Sequence, residues 1–131
     1  MTRTNYWRLP KAKSQRKYGN KKPTVDGLKF DSQAEARRYN ELKLLLAAGE
    51  ITELQLQVPY ELQPSFKYKG KTIRALKYVA DFVYKDKAGV THIEDVKGMR
   101  TKEYEIKRKL MLYRGYEIEE IDGKGRRINW L

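Results

Sequence analysis

Asp81, Asp95 and Lys97 are the residues whose types and spacing could do chemistry. Asp81 interrupts the apolar run Val79-Ala80-Asp81-Phe82-Val83, and Asp-x-Lys closes the next run, Ile93-Glu94-Asp95-Val96-Lys97. In a strand, residues two apart share a face, so Asp95 and Lys97 project together while Glu94 and Val96 point away. A hairpin centred on Ala88 sets Asp81 opposite Asp95. Two carboxylates that close disfavour each other's ionisation and resist desolvation, a conflict that a cation resolves. Mg²⁺, with Mn²⁺ as a substitute, suits a sparse set of hard oxygen donors and keeps several waters for substrate phosphate. Lys97 would neutralise charge developing on that phosphate or orient a water. The chemistry implied is phosphodiester cleavage.

The composition supplies the partner. The 131-residue chain carries 29 Lys and Arg against 17 Asp and Glu, a formal net charge of +12. That balance favours a polyanion, DNA first, and steers it in from a distance. With no cysteine and one histidine, His92, thiolate sites, disulfides, histidine-pair metalloprotease motifs and zinc fingers are excluded. No apolar run approaches the length needed to span a bilayer, and the N-terminus has no signal-like apolar core. A cytoplasmic protein with no membrane partner is expected.

Positioning elements follow from the patterning. Residues 1–22 hold Arg3, Arg8, Lys11, Lys13, Arg16 and further lysines without an acidic residue. They read as a flexible basic arm, with Tyr6, Trp7 and Tyr18 available to stack on bases. Residues 23–131 form one domain. The Asp26-Gly27 turn leads to an N-cap at Asp31 or Ser32 and a helix over Gln33 to Ala48, with Ala36, Tyr39, Leu42 and Leu46 as its apolar stripe. Ile51 to Leu62 reads as a strand interrupted at Pro59, where an edge or a bend is expected. Phe66 to Leu76 reads as a hairpin turning at Lys69-Gly70-Lys71, and Lys77 to Tyr84 and Val90 to Lys97 as two further strands. Thr101 to Arg114 is a second helix with Tyr104, Leu110, Met111 and Tyr113 as apolar candidates, and Tyr116 to Ile121 a last strand. This order predicts an α/β or α+β architecture, a mixed central sheet flanked by helices.

The pattern of an acid, a hairpin-length gap and acid-x-Lys resembles the PD-(D/E)xK nuclease superfamily, with Ala80 standing where the family name has proline. Glu35, in Ser32-Gln33-Ala34-Glu35-Ala36, matches the glutamate this family often carries on the helix before the core sheet. The similarity runs from about Gly27 to Ile121. More narrowly, the order on a small basic chain resembles phage-encoded Holliday-junction-resolvase-like endonucleases. The resemblance implies a restriction-endonuclease-like core and a Mg²⁺-dependent DNA endonuclease selective for branched DNA, commonly a homodimer. It makes Glu35, Asp81 and Asp95 metal ligands and Lys97 the catalytic lysine.

Lys67, Lys69, Lys71 and Arg74 form a second basic cluster, which grips DNA or protects a strand edge. Thr101, Lys102 and Lys107 open the second helix, where N–H groups and cations meet phosphate, Thr101 as N-cap and Lys107 as the better phosphate contact. Glu94 is the rival ligand on the opposite face. Gln57 either faces the cleft or, as expected, is an exposed polar strand position, and His92 is expected to pack or be solvated. The alternative function is a non-catalytic nucleic-acid-binding module or a subunit of a recombination or packaging complex.

Overall fold

Ser32 starts the first helix by accepting the Glu35 N–H at 3.1 Å, which satisfies one of the amide donors a helix leaves unpaired at its start. That helix, α1, spans Gln33–Ala47. It ends where Gly49 adopts φ 77 and the Glu50 N–H reaches back to the Leu45 carbonyl at 2.9 Å, a left-handed closure that favours glycine. The second helix, α2 (Lys102–Tyr113), begins the same way, with Thr101 Oγ1 accepting the Tyr104 N–H at 3.1 Å. It stops at Gly115, whose φ is 92.

A computed structural model of the chain describes residues 22–128. The basic arm expected over residues 1–22 lies outside them except for Lys22, as does the end of the tail. Among the described residues the strands are β1 (Thr24–Val25), β2 (Leu28–Lys29), β3 (Ile51–Gln63), β4 (Phe66–Tyr68), β5 (Lys71–Ile73), β6 (Leu76–Asp86), β7 (Thr91–Val96) and β8 (Ile118–Ile121). Four of them build the central sheet in the order β3-β6-β7-β8. β3, β6 and β7 are antiparallel neighbours, and β8 lies parallel to β7. A parallel pair needs a crossover, and α2 provides it. Among the described residues the fold is α+β, a mixed sheet with two helices.

The sheet buries both faces. Leu62, Tyr78, Ala80 and Ile93 pack with Tyr104 and Met111 of α2, while Ile51, Phe82 and Tyr84 pack with Ala36, Tyr39 and Leu42 of α1. Two expected core residues are outside these layers. Leu46 is 41% exposed because the last turn of α1 runs past the sheet, and Tyr113 is 88% exposed. On α2 the inner stripe is Tyr104 and Met111, seven residues apart, with Lys107 and Arg108 half-buried between them, so Tyr113 points outward.

Pro59 does not interrupt β3. It pairs with Val79 inside a continuous ladder, and the register shifts fall instead between Thr52 and Gln55 and between Glu61 and Gln63. Of the edge or bend expected at Pro59, the edge is what forms: β3 is an edge strand, and a residue without an N–H is tolerated there. Among the described residues no helix is long and apolar enough to cross a membrane.

Candidate active site

Ala80 and Phe82 are two apart on β6, yet Ala80 packs on the α2 layer and Phe82 on the α1 layer. The neighbouring edge strand does the same, Leu56 joining the α1 layer and Val58 the α2 layer. Regular pleating would hold each pair on one face, so alternation breaks at the residues between them, Gln57 and Asp81. Gln57 takes up the break with φ 52. Asp81 thereby leaves the packed layers and faces an open cleft of about 330 Å³, shared with Gln57, Lys77, Tyr78, Asp95 and Lys97.

The β6–β7 register runs from Lys85 opposite Thr91 to Phe82 opposite Glu94. One step further places Asp81 opposite Asp95. There the backbone ladder gives way to a side chain, for Asp81 Oδ2 accepts the Val96 N–H at 2.9 Å. Asp81 and Asp95 lie within hydrogen-bonding reach of each other. Burial, opposed by contacts with Asp95 and the Val96 N–H, pushes Asp81 up to about 6. Burial and the Asp81 carboxyl push Asp95 up to about 7, with Lys97 pulling the other way. Two half-desolvated carboxylates at this spacing form a site short of positive charge.

Lys97 supplies part of that charge. Its Nζ is 3.0 Å from Asp95 Oδ2 and 3.9 Å from the centre of the Tyr104 ring. The Lys97 N–H donates to the Ile121 carbonyl at 2.9 Å, which ties its backbone to β8. Tyr104 is held in turn by Glu120, which accepts its hydroxyl at 2.5 Å. Glu120 is 1% exposed and stands 3.7 Å from both Arg100 and Arg108. The Tyr78 hydroxyl is buried on the same wall beside Asp95, and its pKa is driven up by burial and then by that carboxylate.

Glu35 is the third carboxylate, 5% exposed. One oxygen accepts the Asp31 N–H at 3.0 Å, close to a capping-box arrangement. The other accepts from Gln57 Nε2 at 3.3 Å, and Gln57 Nε2 also reaches Asp81 Oδ1 at 3.5 Å. Arg37 and Arg38, its nearest basic neighbours in sequence, are engaged elsewhere, Arg37 with the Gly123 carbonyl and Arg38 with Glu94. Among the described residues, no three acidic or histidine side chains make a closed metal cage. The facing pair Asp81 and Asp95 has the hard-oxygen chemistry that suits a Mg²⁺ ion, which takes one or two carboxylates and fills its remaining positions with water and phosphate, while Glu35 is linked to Asp81 through Gln57.

The other predicted residues divide by location. Thr101 and Lys107 line the cleft, with Lys107 Nζ 3.1 Å from Glu103. Lys102 lies away from it, beside Glu105 and Lys109. Lys67, Lys69 and Lys71 are exposed on the β4–β5 hairpin, and Arg74 follows it. Glu94 is fully buried on the opposite face, where it holds Arg38 and Tyr84. His92 shares that face, 2.8 Å from Asp86 and 2.6 Å from Glu119.

Gln57 is both exposed and in the cleft, so the two alternatives for it coincide. The break in pleating that delivers Gln57 to the cleft has no sequence signature, so the sequence could not choose between them. Glu120 did carry one: an acid inside the apolar Ile118–Ile121 strand is the same signal that marked Asp81.

No curated protein matches the chain. A family described as a protein of unknown function, DUF1064, matches residues 15–124. That span takes in every cleft residue from Asp31 to Lys107 as well as Glu120, so the fold and the site just described are those of a member of the DUF1064 family.

Proposed function

We propose that this protein is a Mg²⁺-dependent DNA endonuclease that hydrolyses phosphodiester bonds in the cleft between β6, β7 and α2. The observation that carries the reading is the meeting of Asp81 and Asp95 at the open end of the β6–β7 ladder, with Lys97 fastened to Asp95. Asp81, Asp95 and Glu35 would hold the ion. When bound, Mg²⁺ supplies Lewis acidity toward the scissile phosphate and a lowered pKa for water.

The chain's own residues do the rest. Lys97 projects its ammonium into the cleft, where it neutralises charge as the attacking oxygen bonds to phosphorus and the P–O bond to the leaving oxygen breaks. Gln57 orients the carboxylates or a water between Glu35 and Asp81. Lys77 and Lys107, on the cleft wall, hold flanking phosphates. Branched or Holliday-junction DNA, in phage recombination or DNA processing, is the substrate suggested by the resemblance to junction resolvases. A cytoplasmic site of action fits a chain without cysteine. The alternative, a non-catalytic nucleic-acid-binding module, draws on the capping contact of Glu35 with the Asp31 N–H.

Supercoiled, linear and four-way-junction DNA incubated with Mg²⁺, Mn²⁺ or EDTA test the proposal. Metal-dependent cutting of at least one substrate is expected, and Lys97→Ala should slow turnover about 100-fold or more, the scale of removing a group that stabilises transition-state charge. Salt-sensitive binding with no cutting in any metal would favour the binding module.

Tyr104 should separate positioning from folding. Tyr104→Phe keeps the ring beneath Lys97 but strips Glu120 of its donor, so stability should fall by about 1–3 kcal/mol with turnover nearly unchanged. Tyr104→Leu also removes the ring. Turnover should then drop about tenfold with DNA affinity preserved, the scale of a partly desolvated cation–π contact. Equal turnover in the two variants would show that the ring does not position Lys97.

A further inference from the structure

The β4–β5 hairpin turns through Lys69 and Gly70, both with positive φ (52 and 79), the tight two-residue turn that suits twisted strands. Every residue of the two strands is exposed. Phe66 is 48%, Tyr68 58% and Ile73 37% exposed, and none of the three belongs to either core layer. Phe66 and Tyr68 share a face with Ile73, the cross-strand partner of Phe66. Lys71, opposite Tyr68, completes this face, whose three apolar side chains the folded chain does not use.

The same hairpin carries Lys67, Lys69, Lys71 and, just after it, Arg74. Lys69 Nζ stands 5.4 Å from the centre of the Tyr68 ring. Two copies meeting through this hairpin would bring like-charged clusters together, with Lys71 on the apolar face itself. Lysines on a short edge strand also discourage strand pairing. The complementary occupant is an anion with flat apolar faces. A nucleic-acid strand has both, but in an intact duplex each base face is covered by its neighbours, so unpaired nucleotides are what the rings can reach. Residues two apart on a strand lie ~6.6–6.8 Å apart, enough room for one base between Phe66 and Tyr68.

The hairpin's base is clasped by Gln63 Nε2, which donates to the Pro64 and Arg74 carbonyls at 3.2 and 3.3 Å. From there the chain enters β6, whose Lys77, Tyr78 and Val79 line the cleft. Arg74, just before β6, and Lys77, within it, are three residues apart and so at most ~11 Å apart along the chain.

We infer that the β4–β5 hairpin is a binding site for unpaired nucleotides, with Phe66 and Tyr68 stacking on bases and its lysines holding the flanking phosphates. It deepens the nuclease reading, on which it rests for the placement of scissile DNA in the adjoining cleft. Strands would enter the cleft from a single-stranded segment.

The test is fluorescence anisotropy in EDTA with a blunt duplex, the same duplex bearing a single-stranded thymidine tail, and the tail alone. Wild type should favour the tailed over the blunt duplex. Phe66→Ser/Tyr68→Ser should weaken tail and tailed-duplex binding at least about tenfold while changing blunt-duplex binding less than about twofold. Phe66→Trp/Tyr68→Trp should restore it, and circular dichroism should be unchanged. Equal losses on blunt and tailed DNA, no loss on either, or dissociation of a dimer with DNA affinity unaltered would each overturn the inference. Because EDTA removes any role for a metal, the two proposals fail separately. Wild-type protein that prefers tails but cuts nothing in Mg²⁺ sinks the nuclease reading alone. Metal-dependent cutting with no tail preference sinks this one.

Discussion

Asp95→Asn is expected to lower Mg²⁺-dependent turnover about 1,000-fold and, at the same time, to make the metal-free protein more stable at pH 8. The first effect follows from removing a ligand of an ion whose stabilisation of transition-state charge is worth several kcal/mol, each 1.36 kcal/mol being tenfold in rate. The second follows from burial. Asp95 is 5% exposed, and burial beside Asp81 pushes it up to about 7, whereas an unfolded aspartate titrates near ~3.9. Between these values the unfolded chain has lost a proton that the folded chain keeps. Stability therefore falls as pH rises from about 4 to about 7, and above that the full penalty is in place. A rise of this size corresponds to at most roughly 4 kcal/mol, and sharing with Asp81 reduces the part that Asn removes to about 1–3 kcal/mol.

Thermal unfolding in EDTA between pH 4 and pH 8.5 measures this. The variant should exceed wild type at pH 8, and the two should approach each other toward pH 4, where Asp95 is protonated in the folded chain and about half protonated in the unfolded one. Mg²⁺ should stabilise the wild type at pH 8, by about 2.7 kcal/mol at a hundredfold excess over its dissociation constant. The same ion should leave the variant much less affected. A variant less stable than wild type at pH 8, with no Mg²⁺ response in either, would count against a metal at this position.

Arg38→Ala is expected to cost about 3–5 kcal/mol of folding stability, the largest effect of any single change on the α1 face. Arg38 makes two parallel bonds to Glu94, Nε to Oε1 at 2.8 Å and Nη2 to Oε2 at 2.7 Å. Glu94 is fully buried and also accepts the Tyr84 hydroxyl at 2.5 Å. That pairing raises the Arg38 pKa above its already high ordinary value. Without the guanidinium, a carboxylate remains in the core with Tyr84 and the more distant Arg127, 3.9 Å away and half-exposed. Breaking one side of a buried pair leaves an uncompensated charge, whereas replacing both sides by apolar groups is often neutral. Arg38→Met/Glu94→Leu should therefore recover most of the loss, read as urea-unfolding free energies in a double-mutant cycle. If the double variant loses the sum of the two single effects, the pair is not a coupled unit. The contact joins α1, which carries Glu35, to β7, where Glu94 alternates with Asp95, so Arg38→Ala should also weaken Mg²⁺ stabilisation.

The sequence by itself determined what local geometry controls. Alternation along β7 assigned Asp95 and Lys97 to one face and Glu94 to the other, and the turn at Asp86 to Gly89 set a register centred on Ala88. Ser32 and Thr101 announced the helix starts because their hydroxyls are the right length to take an N–H within one turn. These features depend on bond geometry and sterics over a few residues, so they are written along the chain.

Tertiary structure alone decided the rest. Nothing local marks the break in pleating at Gln57 and Asp81, which exists because the twisted sheet must feed one layer against α1 and another against α2. It turned Asp81 toward the cleft and brought Gln57 to Glu35, a residue on another element. Arg38 found Glu94 rather than Glu35, and Tyr104 found Glu120 beneath Lys97. Partner choice among distant charges is settled by which groups packing desolvates together, and that depends on the whole fold. The pair Asp81 and Asp95 was legible as two acids on facing strands; the depth of its enclosure, which raises both pKa values, was not.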